Sequence, residues 1–357
     1  MKIAFAAAAC SPHTVKWVNA LAAAGHEIVL YTMTNHEQLH GEINEAVQTQ
    51  YLPYTEAQNG VKKNASALRD ALSGGSFNAV VAMDLSTYGF MAAKAKANNV
   101  LMVSSGLDVY NAAKTGSKSA VVKSIKHGAA IAATAPNVIT KIKELFKKDK
   151  PYFVTPFGVD MEKFSKKDVE RGSEVCFGSL KFLEHHNSVD LVLEAFSKFL
   201  ARAEIPTKLK VVGSGSMTDA LKQKAQSMGI ADKVEFTGYV KNEDMPNVIN
   251  TIDVVVQMTP EECFGVSGVE AMACEVPMVA SDTYGASEYV LNSVTGYLVK
   301  AGNTDACCDR MIDLAKNEGG RKKMGESCRE DVLPLYNLPD CVKKFEEALR
   351  AAAGRTI

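Results

Sequence analysis

Short apolar runs alternate along the chain with segments whose apolar residues recur every three or four positions. The runs are rich in β-branched residues and have the length of buried strands, and the periodic segments have the spacing of amphipathic helices. This alternation predicts an α/β fold in which helices cover both faces of parallel sheets. In the first half of the chain the predicted strands are 3–8, 27–33, 49–52, 79–83, 101–104, 130–133 and 152–155.

Helix boundaries are marked by residues that suit helix ends. After the first strand, Ser11 is a favoured N-cap residue, and Pro12 suits the first turn of a helix. Gly25 suits the left-handed turn that ends one. The same periodicity predicts two further helices, at 117–127 and 339–349.

The stretch 252–299 combines strand and helix signals with candidate chemistry. The run 253–258 predicts a buried strand, a helix is expected to begin near Val266, and another strand follows at 276–281. A ligand of such a strand–helix–strand unit binds beyond the carboxyl end of the first strand. Glu262 lies in that loop, and Glu270 lies about one turn into the helix.

The first amides of this helix, at Gly265, Val266 and Ser267, are expected to attract an anion. Two carboxylates beside an anion site suit a ligand with phosphates at one end and hydroxyls at the other, because carboxylates accept strong hydrogen bonds from hydroxyls. Sugar nucleotides have this polarity. The spacing alone also fits a solvated loop residue at 262 and a surface helix residue at 270.

The length of 357 residues indicates two domains of ordinary size. Hydrophobic residues at 46% and charged residues at 23% fit a globular protein with full cores. No run of about 18 apolar residues is present, so no membrane-spanning helix is expected. We interpret the apolar amino terminus as a strand and not as a signal peptide. The eight cysteines form no CxxC pair and no zinc-type spacing, which favours a cytoplasmic location and no metal site.

The net charge of −1 hides an asymmetry between the two halves. Residues 109–150 contain nine lysines and two acidic residues, whereas residues 232–288 contain eleven acidic residues and two lysines. Separated charge indicates that the basic stretch meets an anionic partner.

Four lysines lie on or beside the predicted helix 117–127, namely Lys114, Lys118, Lys123 and Lys126. The apolar strip expected between them consists of Val121, Val122 and Ile125. Such a face is typical of contact with an anionic membrane or a phosphate-bearing acceptor, and it is equally typical of a solvated lysine surface. Both interpretations stay open.

Glu262 and Glu270 are embedded in the sequence Glu-Cys-Phe-Gly, four residues, then Glu-Ala-Met-Ala. This arrangement resembles the signature of the retaining GT-B glycosyltransferases of family 4. The sequence that follows is similar to the family at Pro277, 279–281, Gly285, Glu288 and 295–299. Glu275 is a departure, because family members more often have glycine there.

The resemblance implies two doubly wound, Rossmann-like domains that face each other across a cleft. The first domain is expected to comprise residues 1–155 and about 338–357, and the second residues 156–337. The segment 156–164 resembles the family's linker between domains. The nucleotide-sugar donor is expected to bind to the second domain.

The activity that the resemblance implies is transfer of a hexose from a nucleotide-diphosphate sugar, expected to be UDP-linked, to an acceptor hydroxyl with retention. The expected acceptor is a lipid-linked molecule or a cell-envelope glycan, which would bring the protein to the inner face of the membrane. No cofactor, metal or nucleic acid is implied. Two alternatives stay open: a GT-B protein that binds nucleotide sugars with weakened catalysis, and a sugar-nucleotide epimerase.

For the donor, the resemblance places Glu262 on the sugar hydroxyls, Glu270 on the ribose and Lys181 on the diphosphate. Ser179 stands where the family has an arginine, and the loss of one cation slightly favours the first alternative. Gly213 belongs to a stretch similar to the family's glycine loop beside the nucleotide. The other implied donor-binding residues are His186, Tyr239, Val240, Phe264, Gly265, Val266 and Ser267.

Asp108 lies in a stretch similar to the Gly-x-Asp loop that faces the donor sugar, so it is implied to be catalytic with Glu262 and Lys181. Glycine and aspartate are also common turn residues. The candidate acceptor-binding residues are Cys10, Ser11, His13, Asp84 and Gly106. A lone histidine near a helix start, as at position 13, also fits a purely structural role.

Overall fold

The computed structural model describes residues 1–37, 43–170 and 172–354. Contacts between residues divide the chain into two compact units. The first unit comprises Met1–Gly158 and Pro339–Ile357, and the second unit comprises Val159–Leu338.

Within the described residues, the first unit is built on a parallel sheet of seven strands in the order β3-β2-β1-β4-β5-β6-β7. Its strands are β1 (Lys2–Ala6), β2 (Glu27–Met33), β3 (Gln48–Leu52), β4 (Ala79–Met83), β5 (Val100–Ser104), β6 (Ala130–Ala133) and β7 (Tyr152–Val154). Its helices before residue 158 are α1 (Pro12–Ala23), α2 (Gly60–Gly74), α3 (Gly89–Ala95), α4 (Leu107–Tyr110), α5 (Lys118–His127) and α6 (Pro136–Leu145). Every residue of β4 and β5 is buried, as expected for central strands with both faces covered.

The second unit is built on a parallel sheet of six strands in the order β10-β9-β8-β11-β12-β13, again within the described ranges. Its strands are β8 (Val175–Leu180), β9 (Thr207–Val212), β10 (Val234–Gly238), β11 (Val254–Gln257), β12 (Met278–Ser281) and β13 (Gly296–Val299). Its helices are α7 (Val189–Arg202), α8 (Thr218–Ser227), α9 (Met245–Ile249), α10 (Val266–Ala273), α11 (Thr304–Lys316) and α12 (Glu318–Ser327). The predicted α/β fold with parallel sheets is confirmed.

Some predicted strand ends are wrong. β1 ends at Ala6 and not at residue 8. The segment 174–177 predicts a strand that ends there, whereas β8 runs on to Leu180. β8 continues because Ser179 lies in register with Val211 of the neighbouring strand β9. A serine after a glycine is typical of a turn in the sequence alone, whereas pairing with β9 holds Ser179 in an extended conformation.

Helix α5 has nearly the predicted bounds, but its apolar side is not where the sequence suggested. Val121 and Ile125 are fully buried in the core of the first unit. Lys118, Lys123 and Lys126 are exposed on the other side of the helix. The prediction of an apolar strip between exposed lysines is therefore wrong, because Val121 and Ile125 pack in the core and are not available at the surface.

The last helix, α13 (Leu338–Ala352), returns to the first unit. Phe345 is fully buried, and its ring lies 4.3 Å from that of Trp17 on α1. Beside it, His26 Nε2 lies 2.8 Å from Glu346 Oε1. No helix in the described part of the chain is both long and apolar enough to cross a membrane.

We expect Phe345→Ala to destabilise the first unit by about 3–5 kcal/mol, because the substitution removes a fully buried ring that the surroundings cannot replace. Trp17 is the single tryptophan and contacts Phe345, so its fluorescence follows unfolding of this unit in urea. Glu347→Ala, on the exposed side of the same helix, is the matched control. Equal unfolding midpoints for the two variants would contradict this role of α13.

Candidate active site

The predicted donor-binding residues gather at one edge of the sheet in the second unit. Lys181 follows β8, Gly213 follows β9, Tyr239 and Val240 follow β10, and Glu262 lies in the loop after β11. These four strands are neighbours in a parallel sheet, so their carboxyl ends lie side by side. The fold thus brings together residues that are up to about 80 positions apart in sequence.

Lys181 and Glu262 form an ion pair in which Lys181 Nζ donates to Glu262 Oε2. The two side chains are 11% and 19% exposed, so water screens their attraction only in part. The predicted diphosphate cation and the predicted sugar-binding carboxylate therefore neutralise each other in the ligand-free protein.

Helix α10 begins directly beside this pair. Gly265 is its N-cap residue and has a φ of 86°, a left-handed conformation that favours glycine. A Cβ at this position would lie 3.2 Å from the Glu262 carboxyl group and 2.5 Å from the Tyr289 hydroxyl. Glycine therefore allows the first turn of α10 to approach both side chains.

Side-chain hydrogen bonds hold the start of α10 against the end of β8. Ser267 Oγ donates to the Leu180 carbonyl at 2.9 Å, and Gln257 Nε2 donates to Ser267 Oγ at 3.0 Å. Phe264 is 3% exposed and packs near Tyr289 and Tyr336, so its side chain belongs to the core. What this turn presents to a ligand is mainly its backbone amides, which carry the positive end of the helix dipole.

Glu270 lies in the second turn of α10 and is 7% exposed. The alternative interpretation of Glu270 as a solvated surface residue is therefore wrong. Burial raises the pKa of the nearby Cys274 to about 12, and the charge of Glu270 adds to this effect. A carboxylate in this position is expected to need hydrogen-bond donors, since burying an unpaired charge is costly.

Three residues predicted to bind the donor differ in their exposure and backbone conformation. Ser179 is 1% exposed inside β8, and its hydroxyl has no hydrogen-bond partner in the described part of the chain. Its side chain is enclosed by the sheet, so the prediction that it contacts the donor is not supported. His186 is exposed in a short turn after β8. Gly213 has a φ of 134°, and a Cβ there would collide with the Lys181 carbonyl oxygen.

Two residues near the site were missed by the sequence analysis. Glu184 accepts hydrogen bonds from the Ser216 amide at 3.0 Å and from the Ser216 hydroxyl at 2.5 Å, so it occupies donors of the glycine loop. Tyr289 is 1% exposed, and its hydroxyl has no partner among the described residues. Burial, and then the charge of Glu262, raise the pKa of Tyr289 well above its ordinary value. The available signal was a tyrosine directly before the apolar pair Val290 and Leu291, since a tyrosine hydroxyl usually needs a partner when it is buried.

The first unit contains a cavity of about 200 Å³ near the carboxyl ends of its central strands. Ser11, His13 and Asp84, all predicted for the acceptor, line it. The lining residues that the sequence analysis missed include His36, Glu56 and Tyr88. Among the described residues, neither lysine nor arginine lines this cavity.

Polar contacts shape the cavity wall. His36 Nδ1 lies 2.8 Å from the Tyr88 hydroxyl, and His36 Nε2 lies 3.7 Å from Glu56 Oε1. Burial raises the pKa of Tyr88 to about 12, so this hydroxyl stays protonated at neutral pH. His13 stacks on Phe157 with ring centroids 4.1 Å apart.

Asp84 directly follows β4 and has a left-handed conformation with a φ of 67°, which residues with a side chain seldom adopt. Its Oδ1 accepts hydrogen bonds from the amides of Ser86 at 2.9 Å and Thr87 at 3.0 Å. These bonds stabilise the strained turn and fix the carboxylate at the cavity wall.

Asp108 is buried, and its carboxylate is used within the first unit. It accepts hydrogen bonds from Ser104 Oγ at 2.6 Å, the Leu85 amide at 2.7 Å and the Gly106 amide at 3.2 Å. Burial, and then the charge of Asp84, raise the pKa of Asp108 from 3.8 to about 7. These contacts connect the loop after β5 to the turn after β4, which gives Asp108 a structural role, and its catalytic role stays a prediction.

Two further acceptor predictions are not supported by this geometry. The Gly106 amide donates to Ser104 and Asp108, and neither Gly106 nor Cys10 lines the cavity. Cys10 is half-buried, and burial raises the pKa of its thiol. Within the described ranges, no group of three or more His, Cys, Asp or Glu side chains could hold a metal ion.

Two protein families match the chain. Residues 160–331 match the family described as Glycosyl transferases group 1, and residues 2–140 match Glycosyl transferase 4-like. The two matches fall on the second and first units respectively and together cover most of the chain.

Individual relatives match more limited segments. N-acetyl-alpha-D-glucosaminyl L-malate synthase from Bacillus anthracis is 28% identical over 231 residues, which span 62% of this chain and 59% of that enzyme. A GDP-mannose-dependent alpha-(1-6)-phosphatidylinositol monomannoside mannosyltransferase from Mycobacterium tuberculosis is 28% identical over 188 residues, or 51% and 48% of the two chains. The chain thus aligns with less than two thirds of the length of either relative.

Solved structures match almost the whole chain in fold. Sucrose-phosphate synthase from Thermosynechococcus elongatus has a TM-score of 0.86 and 16% identity, with 98% of each chain covered. The Anabaena protein HepE in complex with UDP has a TM-score of 0.79 and 14% identity, with 98% of this chain and 100% of that chain covered. The chain therefore belongs to the group 1 glycosyl transferases of the family 4 type, and its two parallel-sheet units have the GT-B fold.

Proposed function

We propose that this protein transfers a hexose from a nucleotide-diphosphate sugar to an acceptor hydroxyl with retention of the anomeric configuration. The observation that carries the proposal is the convergence of Lys181, Glu262 and the first turn of α10 at the carboxyl edge of the second sheet. Anabaena HepE, which shares the fold, has been solved with UDP and with UDP-glucose, and this supports a UDP-linked donor.

Three parts of the proposed donor, namely the diphosphate, the ribose and the sugar, would each bind to different groups of the protein. The diphosphate would accept hydrogen bonds from the amides at Gly265, Val266 and Ser267 and from Lys181, which together stabilise the charge on the departing phosphate. The buried carboxylate of Glu270 would accept from the ribose hydroxyls, and Glu262 from the sugar hydroxyls. The leaving phosphate would act as base for the attacking hydroxyl on the same face of the sugar, as the family resemblance implies.

The proposed acceptor site is the cavity of the first unit that Ser11, His13 and Asp84 line. Its wall offers carboxylate, imidazole and hydroxyl groups, which suit an acceptor rich in hydroxyls. A lipid-linked molecule or a cell-envelope glycan fits this proposal, and the Mycobacterium relative is described as acting on a phosphatidylinositol mannoside.

A second candidate function is nucleotide-sugar binding with weakened catalysis. The burial of Ser179 at the position where the family has an arginine favours it, because one cation is then missing from the diphosphate site. The two candidate functions predict different rates of nucleoside diphosphate release. An enzyme releases the nucleoside diphosphate from its sugar donor in the presence of an acceptor, and a binding protein does not.

We expect Glu270→Gln to weaken UDP binding by about tenfold or more, because a charge-assisted hydrogen bond contributes about 1.5–3 kcal/mol. Isothermal titration of purified protein with UDP, GDP and ADP measures the affinity and identifies the base. Glu243→Gln, an exposed carboxylate of the same unit, is the control. Unchanged affinity in Glu270→Gln would contradict the ribose assignment, and failure of all three nucleotides to bind wild-type protein would overturn the proposed function.

The raised pKa of Asp108 predicts a pH-dependent stability. Because the folded protein holds this proton more tightly than the unfolded chain, the contribution to stability is full below about pH 4 and is lost as the pH rises through about 7. We expect Asp108→Asn, which does not titrate, to lose most stability relative to wild type near pH 5 and less near pH 8.

Urea unfolding followed by Trp17 fluorescence measures this difference within the first unit. Asp70→Asn, on the exposed side of α2, is the control for a general charge effect. A stability difference between Asp108→Asn and wild type that is the same at both pH values would contradict a raised pKa.

The exposed lysines of the first unit predict peripheral contact with an anionic membrane. Without an apolar strip, attraction depends on charge alone, at about 1 kcal/mol for each lysine near an anionic surface. Replacing Lys114, Lys118, Lys123 and Lys126 with Gln should abolish sedimentation with anionic vesicles at low salt. Replacing four exposed lysines of the second unit, Lys300, Lys316, Lys322 and Lys323, is the matched control. Equal sedimentation with neutral and anionic vesicles would leave these lysines as a solvated surface.

A further inference from the structure

Binding of a diphosphate at the proposed donor site would change the partners of two charged side chains, Lys181 and Glu262. Lys181 is the cation that we assign to the diphosphate, yet it is already paired with Glu262. If Lys181 turns to a phosphate, the Glu262 carboxylate loses its partner while only 19% of its side chain is exposed. Leaving such a charge unpaired is costly, so a bound state needs another donor for Glu262.

The Tyr289 hydroxyl is a hydrogen-bond donor close to Glu262. It is buried and has no hydrogen-bond partner among the described residues. A Cβ at Gly265 would lie 2.5 Å from this hydroxyl and 3.2 Å from Glu262 Oε2, so both groups border the same point on the first turn of α10. A Cβ at Gly268 would lie 2.6 Å from the hydroxyl. The two glycines thus leave space for a polar group that is unsatisfied in the free protein.

We propose that binding of a nucleoside diphosphate exchanges the partner of Glu262, which passes from Lys181 to the Tyr289 hydroxyl. This inference rests on the proposed function of the site. Lys181 then becomes available to the phosphates, and Tyr289 donates to Glu262 and holds it in position for the sugar hydroxyls. Tyr289 acts through Glu262 and is therefore a positioning residue.

The chemistry of the two groups supports this exchange. A tyrosine hydroxyl is a neutral donor, so it can stabilise Glu262 without competing for the phosphates as a second cation would. The raised pKa of Tyr289 keeps its proton in place at neutral pH. The ion pair also opposes binding of phosphate, because Glu262 competes with the ligand for Lys181.

A double-mutant cycle tests the exchange. UDP affinity is measured by isothermal titration for wild type, Glu262→Gln, Tyr289→Phe and the double variant, with uridine as the ligand that lacks phosphates. Glu262→Gln should bind UDP several-fold more tightly, because the amide does not hold Lys181. Tyr289→Phe should bind UDP about tenfold more weakly, since Glu262 is then left without a donor in the complex. In the Glu262→Gln background, Tyr289→Phe should have little effect, and uridine affinity should change in none of the variants.

Thermal stability separates positioning from a structural role of the hydroxyl. Because this hydroxyl has no described partner in the free protein, Tyr289→Phe should leave the Tm without ligand unchanged or higher, and should lower it only with saturating UDP. Tyr336→Phe is the control, since its hydroxyl donates to the Glu288 carbonyl at 2.9 Å in the free protein and should lower the Tm in both conditions.

Three results would overturn the inference while leaving the proposed function intact. They are weaker or unchanged UDP binding by Glu262→Gln, an equal Tyr289→Phe effect in both backgrounds, and a lower Tm of ligand-free Tyr289→Phe. If wild-type protein binds UDP, GDP and ADP with no measurable affinity, the proposed function fails together with the inference.

Discussion

The ion pair between Lys181 and Glu262 is the interaction on which the candidate donor site depends. It is formed by the ends of two neighbouring strands, β8 and β11, and it lies beside the first turn of α10. In a partly buried setting the pair is stable only while both charges keep partners. A ligand that takes Lys181 leaves Glu262 in need of another hydrogen-bond donor, and we propose that the Tyr289 hydroxyl becomes that donor, which links phosphate binding to the position of the Glu262 carboxylate.

The surrounding structure makes this small region rigid. Ser267 connects α10 to the end of β8, and Gly213 allows the glycine loop to approach the Lys181 backbone closely. The strands beneath are almost entirely buried, and dense packing of this kind resists movement of the backbone. A rigid frame leaves side-chain exchange, and not backbone movement, as the simplest response of the second unit to a ligand.

In the first unit, hydrogen bonds from backbone amides to two aspartates fix the position of the polar groups. Asp84 is held in a strained turn by backbone amides, and the buried Asp108 connects that turn to the next loop. Backbone strain of this kind is often found at functional sites. The cavity beside Asp84 combines this turn with a wall of ionisable side chains, and on these grounds we propose it as the location of the acceptor.

The sequence by itself determined the alternation of strands and helices, the bounds of α1 and α5 to within a residue or two, and the family signature around Glu262 and Glu270. Periodicity and local motifs suffice for these features because they depend on neighbours in the chain. Only the tertiary structure decided that Lys181 pairs with Glu262, that Ser179 and Tyr289 are buried, and that Val121 and Ile125 face the core. These outcomes depend on which strand ends lie side by side and on which face of a helix is covered, and contacts between residues distant in sequence set both.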